Sequence, residues 1–291
     1  LVNLAEPACC DWLIDRIDHI IKESGVRVYR QDFNYFDPDA YWIHNEAPER
    51  AGALENLHVQ GYLRLWDTLL VRNPGLWIDS CASGGRRNDL ETMRRAVPLH
   101  YTDVGYGDHP IKQKQHRQMF EWIPYFRAHN MSWDTADGTY RQGSDGTAWG
   151  DEFSFQAAMA PSLTSMAAFD APERERDAAR RMIPVWRRAA ELMLRADYYP
   201  LTECRASAAD MYAMQFDDPD AGDGFLQVLR NTQNEEEEFR AFLCALTPDA
   251  SYRFSDPLSG NSFVLRGEEA AAGISVRLPK RSAVMYFYQK I

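Results

Sequence analysis

Three aspartates each close an apolar stretch: Asp32 after Val26-Arg27-Val28-Tyr29-Arg30-Gln31, Asp79 after Leu76-Trp77-Ile78, and Asp103 at the end of the run that starts at Val97. A single acid in such a place reads as a helix cap or a loop hydrogen-bonder. Three in successive units point instead to a site. Two carboxylates across a cleft can divide labour, one ionised as a nucleophile and one kept protonated as an acid, which is the chemistry of glycoside hydrolysis. The same groups also suit metal binding or phosphoryl transfer through an aspartyl phosphate. Arg30 precedes Asp32 by two positions, so on a strand the two share a face. Its charge favours ionised Asp32 and its donors suit a polyhydroxylated ligand, with a purely structural ion pair equally open.

Residues 80–87, Ser-Cys-Ala-Ser-Gly-Gly-Arg-Arg, resemble a phosphate cradle only superficially. The Gly-Lys-Ser/Thr ending is missing and no Gly-x-Gly-x-x-Gly occurs, which argues against a nucleotide. Glycines here let backbone amides approach a sugar, or turn the chain. Around these segments lie Tyr29, Phe33, Tyr35, Phe36, Tyr41, Trp42, Trp122, Tyr125, Trp133 and Trp149. Core packing accounts for most of them, and loops are where a flat sugar platform would sit. His100, His109 and His116 read as ordinary polar residues, since no Gly-x-Ser-x-Gly elbow supplies a serine for them to activate. No Cys-x-x-Cys or His-Glu-x-x-His spacing supports zinc. The five cysteines (Cys9, Cys10, Cys81, Cys204, Cys244) are odd in number and scattered, which suits reduced thiols and a cytoplasmic setting.

The elements that must position these residues alternate in type. Leu13, Ile17, Ile20 and Ile21 recur at helical spacing, predicting a helix over 7–24 with Gly25 as its stop. A strand over 26–32 follows, then a helix over 54–72 closed by Asn73-Pro74-Gly75, a strand over 76–79, a short helix over 89–95 and a strand over 97–103. Helix followed by strand is the order of parallel α/β units, whose sites lie at the carboxyl ends of the strands. Residues 106–151 are irregular, with at most one strand. Residues 153–169 predict one or two short strands. Asp170-Ala171-Pro172-Glu173 has capping-box spacing and opens a helix to about residue 196, in which Pro184 predicts a kink. Beyond 198, short strands at 225–230, 239–245, 251–254, 262–265, 272–278 and 283–288 alternate with turns and predict an antiparallel β domain of roughly 85 residues without helices. Glu235, Glu236, Glu237 and Glu238 read as a solvated hairpin tip.

With 291 residues, 45% of them hydrophobic, the chain can bury a substantial core. Lys and Arg number 32 against 43 Asp and Glu, a formal charge of -11 that disfavours nucleic acid as a partner. The longest uncharged stretch, 153–169, is too short and too polar for a membrane span. The opening Leu1-Val2-Asn3-Leu4 has no initiator Met and no signal-peptide pattern, which predicts a piece of a longer protein.

The ordered set Tyr29-Arg30-Gln31-Asp32-Phe33-Asn34, Ile78-Asp79-Ser80-Cys81-Ala82-Ser83-Gly84-Gly85-Arg86-Arg87 and Tyr101-Thr102-Asp103 resembles the motifs of glycoside hydrolase family 36, the large microbial α-galactosidases and, more distantly, raffinose synthase-type transglycosylases. The resemblance rests on motifs over 1–201 and on layout beyond. It implies an α/β fold in which 1–201 form the later strands of a partial catalytic (β/α)8 barrel and 202–291 a C-terminal antiparallel, sandwich-like β domain. It implies Asp32 as nucleophile and Asp103 as acid/base of a retaining hydrolase of terminal α-galactosides. Arg30, Cys81 and Gly84 would contact the sugar, and Asp79 would take a supporting role. Arg30 stands where many relatives carry Lys, and Tyr101-Thr102-Asp103 departs from their Ser-Asp at the acid/base strand. The expected partner is an α-galactoside oligosaccharide, with no cofactor, no metal, no nucleic acid and no membrane, and with room for a homo-oligomer in the full-length protein. A transglycosylase on the same carboxylates, a non-catalytic carbohydrate-binding module and, last, a metal-dependent aspartate hydrolase are the alternatives.

Overall fold

Pro7 has no amide to donate and sits in the first turn of α1 (Pro7–Ser24), where none is needed; Gly25 at φ +65° turns the chain out of the helix. The computed structural model describes residues 1–35, 37–105, 107–131, 151–165 and 172–291. These gather into two compact units, Leu1–Asp103 and Val104–Ile291.

In the first unit, α1 leads into β1 (Val28–Gln31), which after α2 (Pro38–Asn45) and α3 (Ala53–Arg72) pairs in parallel with β2 (Trp77–Ser80). The register sets Val28 against Trp77 and Arg30 against Asp79. Ile14 and Ile21 of α1, Leu65, Trp66 and Leu69 of α3, and Ile78 of β2 form the core that fixes the two strands. The short helix expected after the 80–87 loop is α4 (Leu90–Met93), capped by Asp89, whose side chain accepts the Thr92 amide.

The strand expected over 97–103 is not formed. Only Val97 pairs, its amide donating to the Ile78 carbonyl and its carbonyl accepting from Ser80. The next amide that could extend this parallel ladder, that of Leu99, donates instead to the Asp79 carboxylate, so the chain turns and Asp103 lies past that turn.

The second unit opens with α5 (His109–Phe120), a helix where the sequence predicts irregular chain. Its buried face is Lys112, Gln113, His116 and Met119, so apolar periodicity is lacking; its start is marked by Asp108, which caps the Ile111 amide, and Pro110. β3 (Arg127–His129) follows. Residues 152–157 form α6 (Glu152–Ala157) in place of an expected strand, and β4 (Ser162–Thr164) pairs in parallel with β3. Pro184 lies inside α7 (Glu173–Arg195), while Asp170 and Ala171 of the expected capping box fall outside the described residues.

β5 (Asp197–Pro200), β6 (Met211–Asp218), β7 (Asp223–Arg230), β9 (Ser251–Ser255), β10 (Ser262–Arg266) and β12 (Ser282–Lys290) build a six-stranded antiparallel sheet in the order β10-β9-β12-β7-β6-β5. Alternation sends Tyr212, Met214, Phe216, Phe225 and Phe287 to the face packed with Met182, Val185 and Met193 of α7. Ala213, Leu226, Val228 and Tyr288 go to the opposite face, with β8 (Glu238–Ala241) and β11 (Ile274–Arg277). Two expectations are corrected here. A helix, α8 (Gly267–Ala272), interrupts the strands because Ala270, Ala271 and Ala272 carry no β-branch. The glutamates at 235–238 are exposed but do not tip a hairpin: Glu235, Glu236 and Glu237 lie on the link from β7 to β8, and Glu238 opens β8, which belongs to a different sheet. The architecture is thus mixed α/β with a large antiparallel sheet. The parallel pairs β1-β2 and β3-β4 do not by themselves compose a barrel.

Candidate active site

The β1–β2 ladder runs slightly past its strands. Cys81 donates its amide to the Gln31 carbonyl at 3.0 Å, and Phe33 donates to the Cys81 carbonyl at 3.1 Å, so Asp32 is suspended between two backbone ties. Its carboxylate accepts the Ser83 amide at 3.4 Å and an Arg30 Nη2–H at 3.5 Å. The Cys81 thiol and the Asn34 amide group also donate to it. Burial alone would push this carboxyl up, but the donors and the Arg30 charge outweigh it and hold the group below the ordinary aspartate range. Asp32 is thereby prepared as an anion.

Arg30 faces two carboxylates at once. Its Nη1 donates to Asp79 at 2.7 Å, and Asp79, 3% exposed, also accepts the Leu99 amide at 3.1 Å. Asp79 therefore ties β1 to the turn after Val97 and supports Arg30.

Asp103 reaches the same place by a different route. Gly84 has φ +81°, and a β-carbon on it would stand 2.5 Å from the Asp103 nitrogen, 2.8 Å from the Thr102 carbonyl carbon and 2.9 Å from the Thr102 α-carbon. Only glycine allows that approach. The neighbouring Ser83 is itself left-handed, at φ +47°. One dipeptide, Ser83-Gly84, thus touches the Asp32 carboxylate with an amide and the Asp103 backbone with an α-carbon. The Asp103 carboxylate lies 3.0 Å from His100 Nε2. The side chains of Asp32 and Asp103 are 35% and 49% exposed, open enough for a ligand to reach both.

All five residues expected at the site, Asp32, Asp103, Arg30, Cys81 and Gly84, fall in the first unit around the 80–87 loop. Cys81 is 2% exposed, and burial raises its thiol pKa; it accepts the Gly84 amide at 3.4 Å and donates to Asp32. Of the aromatic residues expected nearby, Tyr35 is exposed and Trp42 is buried against His58, while Phe36, Trp133 and Trp149 lie outside the described residues. Sequence reasoning gave no individual role to Arg87, whose guanidinium sits between the rings of Phe33 and Tyr62. Arg87 adjoins the glycines of the loop, and that adjacency was the available signal. Among the described residues no group of three or more His, Cys, Asp and Glu is placed to hold a metal ion, and no helix is long and apolar enough to cross a membrane. A cleft of about 360 Å³ in the second unit, bordered by Gln156, Glu175 and Arg281, includes none of the five candidates.

No family model matches the chain. A probable α-galactosidase C of Aspergillus flavus is 34% identical over 89 residues, which are 31% of this chain and 11% of that protein. A family 36 α-galactosidase of Geobacillus stearothermophilus, solved in complex with raffinose, superposes with a TM-score of 0.76 at 17% identity, covering 99% of this chain. The α-galactosidase of Lactobacillus brevis gives a TM-score of 0.76 at 16% identity over the same share. The chain spans 39% of the length of either solved protein. In fold over nearly its whole length the chain resembles a family 36 α-galactosidase, and over a shorter stretch it resembles a probable α-galactosidase in sequence.

Proposed function

We propose that this chain is the C-terminal part of a retaining α-galactosidase, with 1–201 contributing later strands of a (β/α)8 barrel and 202–291 an accessory β domain. Asp32 is the nucleophile and Asp103 the acid/base. In the first step an Asp32 oxygen bonds to the anomeric carbon as the glycosidic C–O bond breaks, and the Asp103 proton passes to the leaving oxygen. In the second, Asp103 takes a proton from water, the water oxygen bonds to the anomeric carbon, and the Asp32–carbon bond breaks to release α-galactose. The donors around Asp32, with Arg30, keep it ionised between turnovers, and the Cys81–Gly84 backbone acts from behind the carboxylate, its amides spent on Gln31, Gly84, Asp32 and the Cys81 sulfur.

One observation carries this reading: Asp32 and Asp103 adjoin the two residues of a single dipeptide, Ser83-Gly84, and both remain exposed. The likeness to α-galactosidases, one of them holding raffinose, supports galactosides as the substrate class. Azide rescue tests the roles. With a nitrophenyl α-galactoside, Asp103→Ala should recover turnover in azide and yield the α-galactosyl azide, because azide replaces water at the glycosyl-enzyme. Asp32→Ala should yield the β-galactosyl azide, because azide takes the nucleophile's place. Unchanged hydrolysis in both variants refutes the assignment, and galactose transfer to sucrose in place of water would make the protein a transglycosylase.

A further inference from the structure

Arg87 is an expensive residue for its position. Its guanidinium carbon lies 4.5 Å from the ring centroid of Phe33 and 4.4 Å from that of Tyr62. Its Nη1 is buried without a hydrogen-bond partner, and burial pulls its pKa below the ordinary arginine value. An aliphatic side chain would fill such a gap without the desolvation cost of a cation. What a guanidinium adds is a flat, charged surface that grips an aromatic ring on each face.

Each ring leads somewhere specific. Tyr62 belongs to the α3 core, is 5% exposed, and its hydroxyl lies 3.3 Å from Thr92 Oγ1. Phe33 follows Asp32 directly, and its amide is already tied to Cys81. The 80–87 loop therefore holds Asp32 from two sides, by Ser83 and Cys81 on the carboxylate and by Arg87 on the next residue's ring.

We propose that Arg87 is the positioning residue for Asp32: stacked between Tyr62 and Phe33, it anchors the chain just beyond Asp32 to the α3 core and so fixes where the carboxylate points. This rests on reading Asp32 as the nucleophile. The test compares Arg87→Met, which keeps length without charge or plane, with Arg87→Lys, which keeps charge without the plane. A misplaced nucleophile predicts kcat lowered about 30- to 100-fold with KM within about threefold of the parent, and no rescue by lysine. Full activity in Arg87→Met, or in Arg87→Lys, overturns the proposal.

A second readout needs no turnover. In both variants the amide resonance of Ser83 and the carboxyl resonance of Asp32 should move away from their parent positions, with the urea midpoint reporting that the fold persists. Unmoved resonances refute the positioning role. If Arg87→Met fails to fold, Arg87→Lys carries both measurements. If Asp32→Asn leaves hydrolysis intact, the nucleophile reading falls while the resonances still decide what Arg87 does.

Discussion

Replacing Gly84 by alanine tests whether one dipeptide governs both carboxylates. Two costs add. A residue with a β-carbon in the left-handed region loses about 1–2 kcal/mol. The new methyl would also stand 2.5 Å from the Asp103 nitrogen and under 3 Å from two Thr102 atoms, all of them backbone with no side chain to swing aside. Restoring ordinary contact moves the 102–103 segment by about 1 Å, and overpacking of this kind costs about 1–3 kcal/mol. Gly25 supplies the control: it has φ +65°, but a β-carbon there meets nothing within 4 Å. Gly25→Ala should therefore lose only the conformational part, about 1–2 kcal/mol, and keep its activity. Urea unfolding followed by tryptophan fluorescence should give a total of about 2–5 kcal/mol for Gly84→Ala, with kcat lowered about 100-fold, the penalty of a displacement near 1 Å at a reacting group. Gly84→Ala matching Gly25→Ala in both stability and turnover would refute the reasoning.

Asp79→Asn should destabilise the fold by about 1–3 kcal/mol, since a buried acceptor of two hydrogen bonds, one from a guanidinium, loses its charge; urea denaturation measures it, and a smaller loss of kcat than in Asp32→Asn would accompany it. His58 is pushed down to about 4 by burial and then by the Arg87 charge, and His116 to about 3 by burial and then by Lys112. Below about pH 6.5 the unfolded chain takes up protons these buried rings refuse, so stability falls as pH drops from there towards about 4. Imidazole resonances should show both rings neutral near pH 5.5, and a midpoint near 6.5 for either would contradict this.

Much of this site was legible because its chemistry follows simple periodicities. The spacing of Leu13, Ile17 and Ile21 outlines α1, although Ile20, read onto the same face, is exposed and Ile14 is buried in its stead; the leucines of 54–72 outline α3, and each helix leads to a strand whose last residues belong to the site. The illegible parts share a physical cause, namely polar groups doing what apolar ones usually do. α5 buries Lys112, Gln113 and His116, with Gln113 and Asn231 exchanging hydrogen bonds at 3.0 and 2.8 Å, so its inward face reads as an outward one. Arg87 packs like an aromatic, although its type suggests solvent. Leu99 shows the reverse failure: its amide goes to the Asp79 side chain, which ends a ladder that the surrounding apolar residues favour.

The sheet of the first unit is asymmetric at its borders. Beyond β2 it is closed off by Val97 and the proline after it, whereas beyond β1 no strand pairs among the described residues, and Val26 and Val28 are 45% and 51% exposed there. Recruitment of another strand is therefore directional: it can proceed only outward from Val28–Gln31, where unspent backbone donors and acceptors lie beside uncovered valines. For this sheet, backbone pairing with another chain would begin along that margin.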